Sequence, residues 1–231
     1  MPDTPDRAQA ASGSNAVPPS VDVISDIVCP WCFIGKRRLE QALEDVPLER
    51  RPAVRWLPFQ LNPDLPAQGM PRHAYLAAKF GSAQQAAQIY QRVREQGASI
   101  GIGFEFDRIE RQPNTVDAHR LIAWAQAQAD AGPLVEALFN AFFIEGRDLA
   151  DSGELAAIAG EAGFDATAAG RWLASEQARE QVLRMDRRAR ELGVTGVPFF
   201  IFNGAVAVAG AQEPAILRDA MVQSGLIGEP T

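Results

Sequence analysis

The sequence predicts an α/β fold whose elements run βαβ, then a large all-helical insertion between the second and third strands, then ββα. Three observations carry this. Short β-branched runs flank an amphipathic helix near the start of the chain. Residues 67–192 show helical periodicity punctuated by glycine. Asn203-Gly204 then joins two apolar runs ahead of a last helix, and Asn-Gly is the strongest short-range hairpin signal because both central residues of a type I′ turn need positive φ.

The first strand is expected over 20–28, from Val21-Asp22-Val23-Ile24 and Ile27-Val28. Pro30 suits the first turn of a helix, and Phe33, Ile34, Leu39, Ala42 and Leu43 recur at near-helical spacing with Lys36, Arg37, Arg38, Glu40 and Gln41 between them. Ala53-Val54-Arg55-Trp56-Leu57 gives a second strand over 53–61, and a crossover of this length makes the two strands parallel. Helices are expected at 71–80, 83–97, 114–130, 133–146, 152–162, 166–174 and 176–192, with Asn114 and Asp117 resembling an N-cap box. Strands at 197–202 and 205–208 and a helix at 213–224 complete the order. The domain organisation follows: a flexible leader over 1–19, rich in Pro, Ser, Ala and Asp; a first part of the α/β domain over 20–66; the helical insertion over 67–192; and a second part over 193–231.

Composition narrows the function. The 231 residues are 47% hydrophobic and 22% charged, as in an ordinary globular protein. A net charge of -7 and scattered basic residues argue against nucleic acid as a partner; Arg184, Arg187, Arg188 and Arg190 read as a solvated helix face. No basic start followed by an apolar stretch resembles a secretory signal, and no run approaches the about 18 apolar residues of a membrane span. The expected location is the cytoplasm, where a CxxC pair is more often catalytic or metal-binding than structural.

Cys29 and Cys32 are the only cysteines, and they sit at the predicted strand-to-helix junction. A helix N-terminus favours the anionic, nucleophilic thiolate at Cys29, and Cys32, one turn on, is expected to be more buried and able to attack a mixed disulfide formed there. Two other readings stand beside this. A zinc site would need two further ligands, yet His73 and His119 lie in predicted helices without a ligand partner nearby in sequence, and an inert buried pair needs no chemistry at all. Gly101-Ile102-Gly103 lacks the third glycine and preceding strand of a dinucleotide loop and reads as a plain turn. Pro198 opens an apparent strand, which either a cis Val197–Pro198 bond or a trans proline at an edge strand accommodates; the cis form would present the Val197 backbone to an extended peptide.

The segments Ser25-Asp26-Ile27-Val28-Cys29-Pro30-Trp31-Cys32-Phe33-Ile34-Gly35-Lys36, Phe59-Gln60-Leu61-Asn62-Pro63, Asn114-Thr115 with Ala118-His119-Arg120-Leu121, and Gly193-Val194-Thr195-Gly196-Val197-Pro198-Phe199-Phe200 resemble the DsbA-like thioredoxin superfamily, and its FrnE-like branch in particular. The resemblance spans about residues 20–225 and implies a thioredoxin fold and a thiol–disulfide oxidoreductase, leaning to reductase or isomerase, acting on protein or peptide disulfides. It makes Cys29 the exposed nucleophile, Cys32 the resolving thiol and Val197 with Pro198 the cis-proline element. No cofactor is implied beyond the redox-active disulfide, with glutathione as a conceivable co-substrate. The partners are protein or peptide thiols and an external reductant such as glutathione or a thioredoxin system.

Departures and alternatives follow from the same resemblance. Periplasmic oxidases of the superfamily carry histidine between the cysteines where this chain has Trp31, so the expected potential lies nearer the reductase end of the scale. Pro30 and Trp31 flank the sulfurs, and Trp31 presents an aromatic surface to substrate; Phe199 reads as core. Asp26 is the candidate for proton transfer to the resolving cysteine, against the alternative of an exposed loop acid, and strand alternation would put it on one face with Asp22. His119, in an apolar helix, reads as a structural histidine. The competing functions are a glutathione-dependent isomerase or transferase of the kappa-class and hydroxychromene-carboxylate isomerase type, where serine replaces the first cysteine, and a non-enzymatic holdase chaperone.

Overall fold

The computed structural model describes residues 19–228, so the leader expected over 1–19 lies, apart from Pro19, outside the described residues. Along the chain come β1 (Ser20–Ser25), α1 (Pro30–Ala42), β2 (Ala53–Pro58), β3 (Met70–Pro71), α2 (Arg72–Phe80), α3 (Ala83–Ala98), β4 (Arg111–Gln112), α4 (Val116–Gln126), α5 (Gly132–Asn140), α6 (Ser152–Glu161), α7 (Ala166–Leu173), α8 (Arg179–Glu191), β5 (Phe199–Phe202), β6 (Val206–Ala209) and α9 (Pro214–Gln223). The main sheet has the order β2-β1-β5-β6; β1 and β2 are parallel, and the other two pairings are antiparallel. This is the thioredoxin order with a helical insertion between β2 and β5. Within the insertion, β3 and β4 form a two-residue ribbon too short to leave a periodic signal.

The alternation of side chains divides the sheet into two apolar faces. Val21, Val23, Phe200 and Phe202 join the main core, which also takes in α1, α9 and the insertion. Ile24 and Phe59 lie instead with Ala189 and Val194 in a smaller cluster, against which Leu57, Phe199 and Ile201 pack. Phe199 is therefore partly buried, in the smaller cluster and not the main core. The insertion does not fold apart from the sheet. Phe33 of α1 stacks on Phe139 of α5 at 5.0 Å between ring centres and meets Phe104 edge-on, so one aromatic cluster is shared by the two halves.

Element ends differ from the sequence reading for identifiable reasons. β1 stops at Ser25, not 28, because the chain turns over Asp26–Cys29, with the Cys29 N–H donating to the Asp26 carbonyl at 3.0 Å. β2 ends at Pro58, which has no N–H to continue a ladder. The box of Asn114 and Asp117 does not form: Asn114 accepts from the Val116 N–H and donates to the Leu65 carbonyl, while Asp117 pairs with Arg120 and Arg179. The helix expected over 133–146 runs as α5 and then widens into a π turn over Ala141–Glu145. Lys36 and Arg38 of α1 are buried, Lys36 against Glu40 and Glu136 at 2.5 and 2.7 Å and Arg38 against Glu213 at 2.7 Å. The hairpin takes the expected form, with φ of 52° at Asn203 and 67° at Gly204. On α8, Arg184, Arg187 and Arg188 face solvent, whereas Arg190 lies over the Phe59 ring at 4.1 Å.

Candidate active site

Cys29 is the N-cap residue of α1, in extended conformation, and Pro30 occupies the first helical position. The Cys29 carbonyl accepts the N–H groups of Cys32 at 3.0 Å and Phe33 at 3.4 Å, so both cysteines lie in the first turn. The Cys29 thiol points across to the last loop before β5 and donates to the Val197 carbonyl at 3.5 Å. The Val197–Pro198 bond is cis. Helix and loop approach closely because residue 35 has no side chain: a Cβ at Gly35 would lie 2.7 Å from Pro198 Cγ and 3.2 Å from Phe200 Cζ. Glycine inside a helix costs about 1 kcal/mol relative to alanine, and here that cost admits the proline.

The two sulfurs are free thiols and both are buried, Cys29 to 4% and Cys32 to 1% exposure. The expectation of an exposed Cys29 is thus corrected: the thiol is covered from the side by the Val197–Pro198 loop, while Trp31 beside it remains 38% exposed. Burial pushes the Cys32 thiol well above the usual thiol range, and Cys29 pushes it further through hydrogen bonding and charge. The Ser25 hydroxyl and the Asp26 backbone oppose this by hydrogen bonding to the sulfur.

Asp26 is neither a strand residue nor an exposed loop acid; it is 0% exposed. Asp22 and Asp26 do not share an environment, since Asp22 makes a two-pronged pair with Arg55 at 2.5 and 2.8 Å on the sheet. Asp26 instead accepts the Leu61 N–H on Oδ2 at 2.8 Å. That N–H is held by a clamp from α8. Asp186 accepts the Gln60 N–H at 2.7 Å, and Arg190 bonds Asp186 at 3.0 Å and also donates to the Gln60 carbonyl.

His119 of α4, set aside in the sequence as structural, stands with Nε2 3.4 Å from Asp26 Oδ1, and neither atom has an aligned hydrogen-bond partner. A signal for it existed. His119 and Arg120 are consecutive polar residues on the buried side of an apolar helix, so each needed a specific reason to be there. For Arg120 the reason is structural: it donates to the carbonyls of Trp172, Ser175 and Gln177 at the end of α7. Ser25, Gln60 and Leu61 were also missed, since their roles depend on contacts that only the folded chain makes. Among the described residues, no group of three or more His, Cys, Asp or Glu stands together as a metal site, and no helix is long and apolar enough to cross a membrane.

Comparison with known proteins agrees with this fold. The family described as DSBA-like thioredoxin domain matches residues 20–222. The Bacillus subtilis (strain 168) protein YwbO is 27% identical over 192 residues, covering 83% of this chain and 90% of its own. The crystal structure of a probable DsbA oxidoreductase from Streptomyces coelicolor superposes with a TM-score of 0.80 at 32% identity, over 92% of each chain. The cytosolic disulfide reductase DsbM from Pseudomonas aeruginosa, determined with GSH, superposes at 0.63 with 19% identity, over 90% of this chain and 98% of its own, a likeness of fold. The chain therefore belongs to the DsbA-like thioredoxin-domain family and carries the fold of thiol–disulfide oxidoreductases.

Proposed function

We propose that this protein exchanges disulfides with protein or peptide substrates through Cys29 and Cys32, working mainly as a reductase or isomerase. The observation that carries the reading is the Cys29 thiol at the N-cap of α1, bonded to the carbonyl that precedes cis-Pro198. Cys29 thiolate attacks one sulfur of the substrate disulfide, forming a Cys29–substrate disulfide and expelling the other sulfur as thiolate. Cys32 thiolate then attacks Cys29 sulfur, closing the Cys29–Cys32 disulfide and releasing the second substrate thiol. Two electrons have passed to the substrate, and an external thiol reductant, such as glutathione or a thioredoxin system, returns them.

In this reading an extended substrate displaces the Cys29 thiol from the Val197 carbonyl and lies along Val197 and Pro198, with Trp31 and Pro30 forming the adjacent contact surface. Asp26, buried next to the dithiol turn, takes the proton of Cys32. The proposed setting is the cytoplasm, which keeps the dithiol reduced between turnovers. The FrnE-like segments of the sequence support this branch of the family. The presence of Cys29, where the glutathione-dependent isomerases carry serine, favours redox cycling over isomerase chemistry of that type. Insulin-disulfide reduction tests the reading: wild type reduces insulin, and the Cys29→Ser, Cys32→Ser double variant does not. A double variant that still suppresses aggregation of an unfolded chain, from a wild type that reduces nothing, would establish the holdase instead.

A further inference from the structure

Asp26 Oδ1 and His119 Nε2 present a chemical problem of their own. Both atoms are buried, neither has another partner, and they stand 3.4 Å apart. A carboxylate oxygen and an unprotonated imidazole nitrogen are both acceptors, and two lone pairs facing each other in a dry interior are unfavourable unless a proton lies on one of them. The pair is thus built to hold one proton. The other carboxylate oxygen is fixed by the Leu61 N–H and through it by the Asp186–Arg190 clamp, so the carboxyl is not free to turn away.

The second observation is a small cleft that His119 itself lines. A space of about 110 Å³ lies between α4, α8 and β2, lined by His119 with Trp56, Pro58, Gln181, Val182 and Met185. His119 is 5% exposed and stands between this cleft's lining and the buried Asp26 carboxyl it approaches. Asp26 has no contact with solvent at all. The cleft is separate from the Val197–Pro198 side, where a substrate in mixed disulfide with Cys29 would cover the sulfurs.

We propose that His119 is the positioning and proton-carrying partner of Asp26, giving the dithiol site a back route to solvent through the cleft between α4 and α8. The inference rests on the proposed role of Asp26. When Cys32 attacks Cys29 sulfur, the proton shared by Asp26 Oδ1 and His119 Nε2 settles on Nε2 as the Nδ1 proton leaves into the cleft, and the Cys32 proton takes the vacated place on Asp26. One proton thus moves from thiol to solvent, the pair keeps the same number of protons, and the neutral imidazole is left with its proton on Nε2 instead of Nδ1. Re-reduction runs the same steps backwards. The charged or titratable groups around the pair come from few elements. The start of α1 supplies Cys29 and Cys32; α2 supplies Tyr75, Lys79 and Arg72, whose charges interact around Asp26 and Cys29. From α8, the Asp186–Arg190 ion pair stands at Gln60, while Gln181, Val182 and Met185 bring no charge to the cleft. On α4 itself, Arg120 is turned to the end of α7 and held there with Asp117.

The chain has two histidines, so imidazole NMR resonances of the full-length protein are assigned with His73→Gln alone. We expect the His119 ring-nitrogen resonances to move in Asp26→Asn, as the imidazole loses the carboxylate that stands 3.4 Å from Nε2. Unchanged His119 resonances in a folded Asp26→Asn protein overturn the pairing. In single-turnover reaction of the reduced protein with a peptide disulfide, His119→Ala should slow closure of the Cys29–Cys32 disulfide by about tenfold at neutral pH. Added imidazole, small enough to enter the enlarged cleft, should restore most of that rate. His119→Gln, which keeps the helix filled, should be slow without being rescued; wild-type closure rates in it across the neutral range overturn the relay. If the protein exchanged no disulfides there would be no closure to time, yet the NMR coupling would still report the pair, so the two failures read differently.

Discussion

At the scale of single residues, Gly35 tests the geometry of the site most simply. Its alanine variant gains about 1 kcal/mol of helix propensity. The added Cβ would sit 2.7 Å from Pro198 Cγ, and relief of such overpacking costs about 1–3 kcal/mol. We therefore expect Gly35→Ala to unfold at lower denaturant concentration and to lose insulin reduction, as α1 and the Val197–Pro198 loop are pushed apart. A more stable, fully active variant would contradict the close approach. The residue scale also shows what the sequence could and could not disclose. Cys29, Cys32 and Pro198 were legible because a spacing and a chain position carried them. Asp26 was legible as an acid but not as a buried one, because its burial depends on Leu61 and His119, which reach it from the loop after β2 and from α4.

Elements were legible where a period or a turn residue encoded them, as in α1, the Asn203-Gly204 hairpin and most helices of the insertion. They were illegible where a distant partner decided the matter. Lys36 and Arg38 look like surface residues of α1 and are buried because Glu136 of α5 and Glu213 ahead of α9 neutralise them. Phe33 is the matching apolar case: it carries the first turns of α1 into the aromatic cluster of the insertion. Phe33→Ala should cost about 3–5 kcal/mol in chemical denaturation, the usual range for a buried phenylalanine. A loss under about 1 kcal/mol would mean that α1 is not anchored there.

At the scale of the whole molecule, the state of the dithiol feeds back on stability. Burial raises the Cys32 thiol in the folded protein above its unfolded value, so the folded state holds that proton to higher pH than the unfolded chain does. The resulting stabilisation is fully present below the unfolded thiol value of about 8.5 and declines as pH rises from there through the higher folded value. Urea denaturation of the reduced protein should show stability falling with pH in that window, and Cys32→Ala should remove the slope due to this group. A reduced protein equally stable on both sides of the window would contradict it. The Trp31 spacer bears on the same equilibrium. With no histidine between the cysteines, equilibration against glutathione should give a potential well below the about -120 mV of a strong oxidant such as DsbA. A value at that oxidising end would reverse the proposed direction of flux.

All of this depends on one covalent event, the formation of a bond between Cys29 sulfur and a substrate sulfur that Cys32 resolves. Trapping measures it directly. Cys32→Ser protein mixed with a peptide disulfide should accumulate a one-to-one adduct by intact mass, mapped to Cys29 and released by a dithiol reductant, while Cys29→Ser protein should form none. The account predicts that asymmetry; adducts on Cys32 in the Cys29→Ser protein, or none on Cys29 in the Cys32→Ser protein, would contradict it.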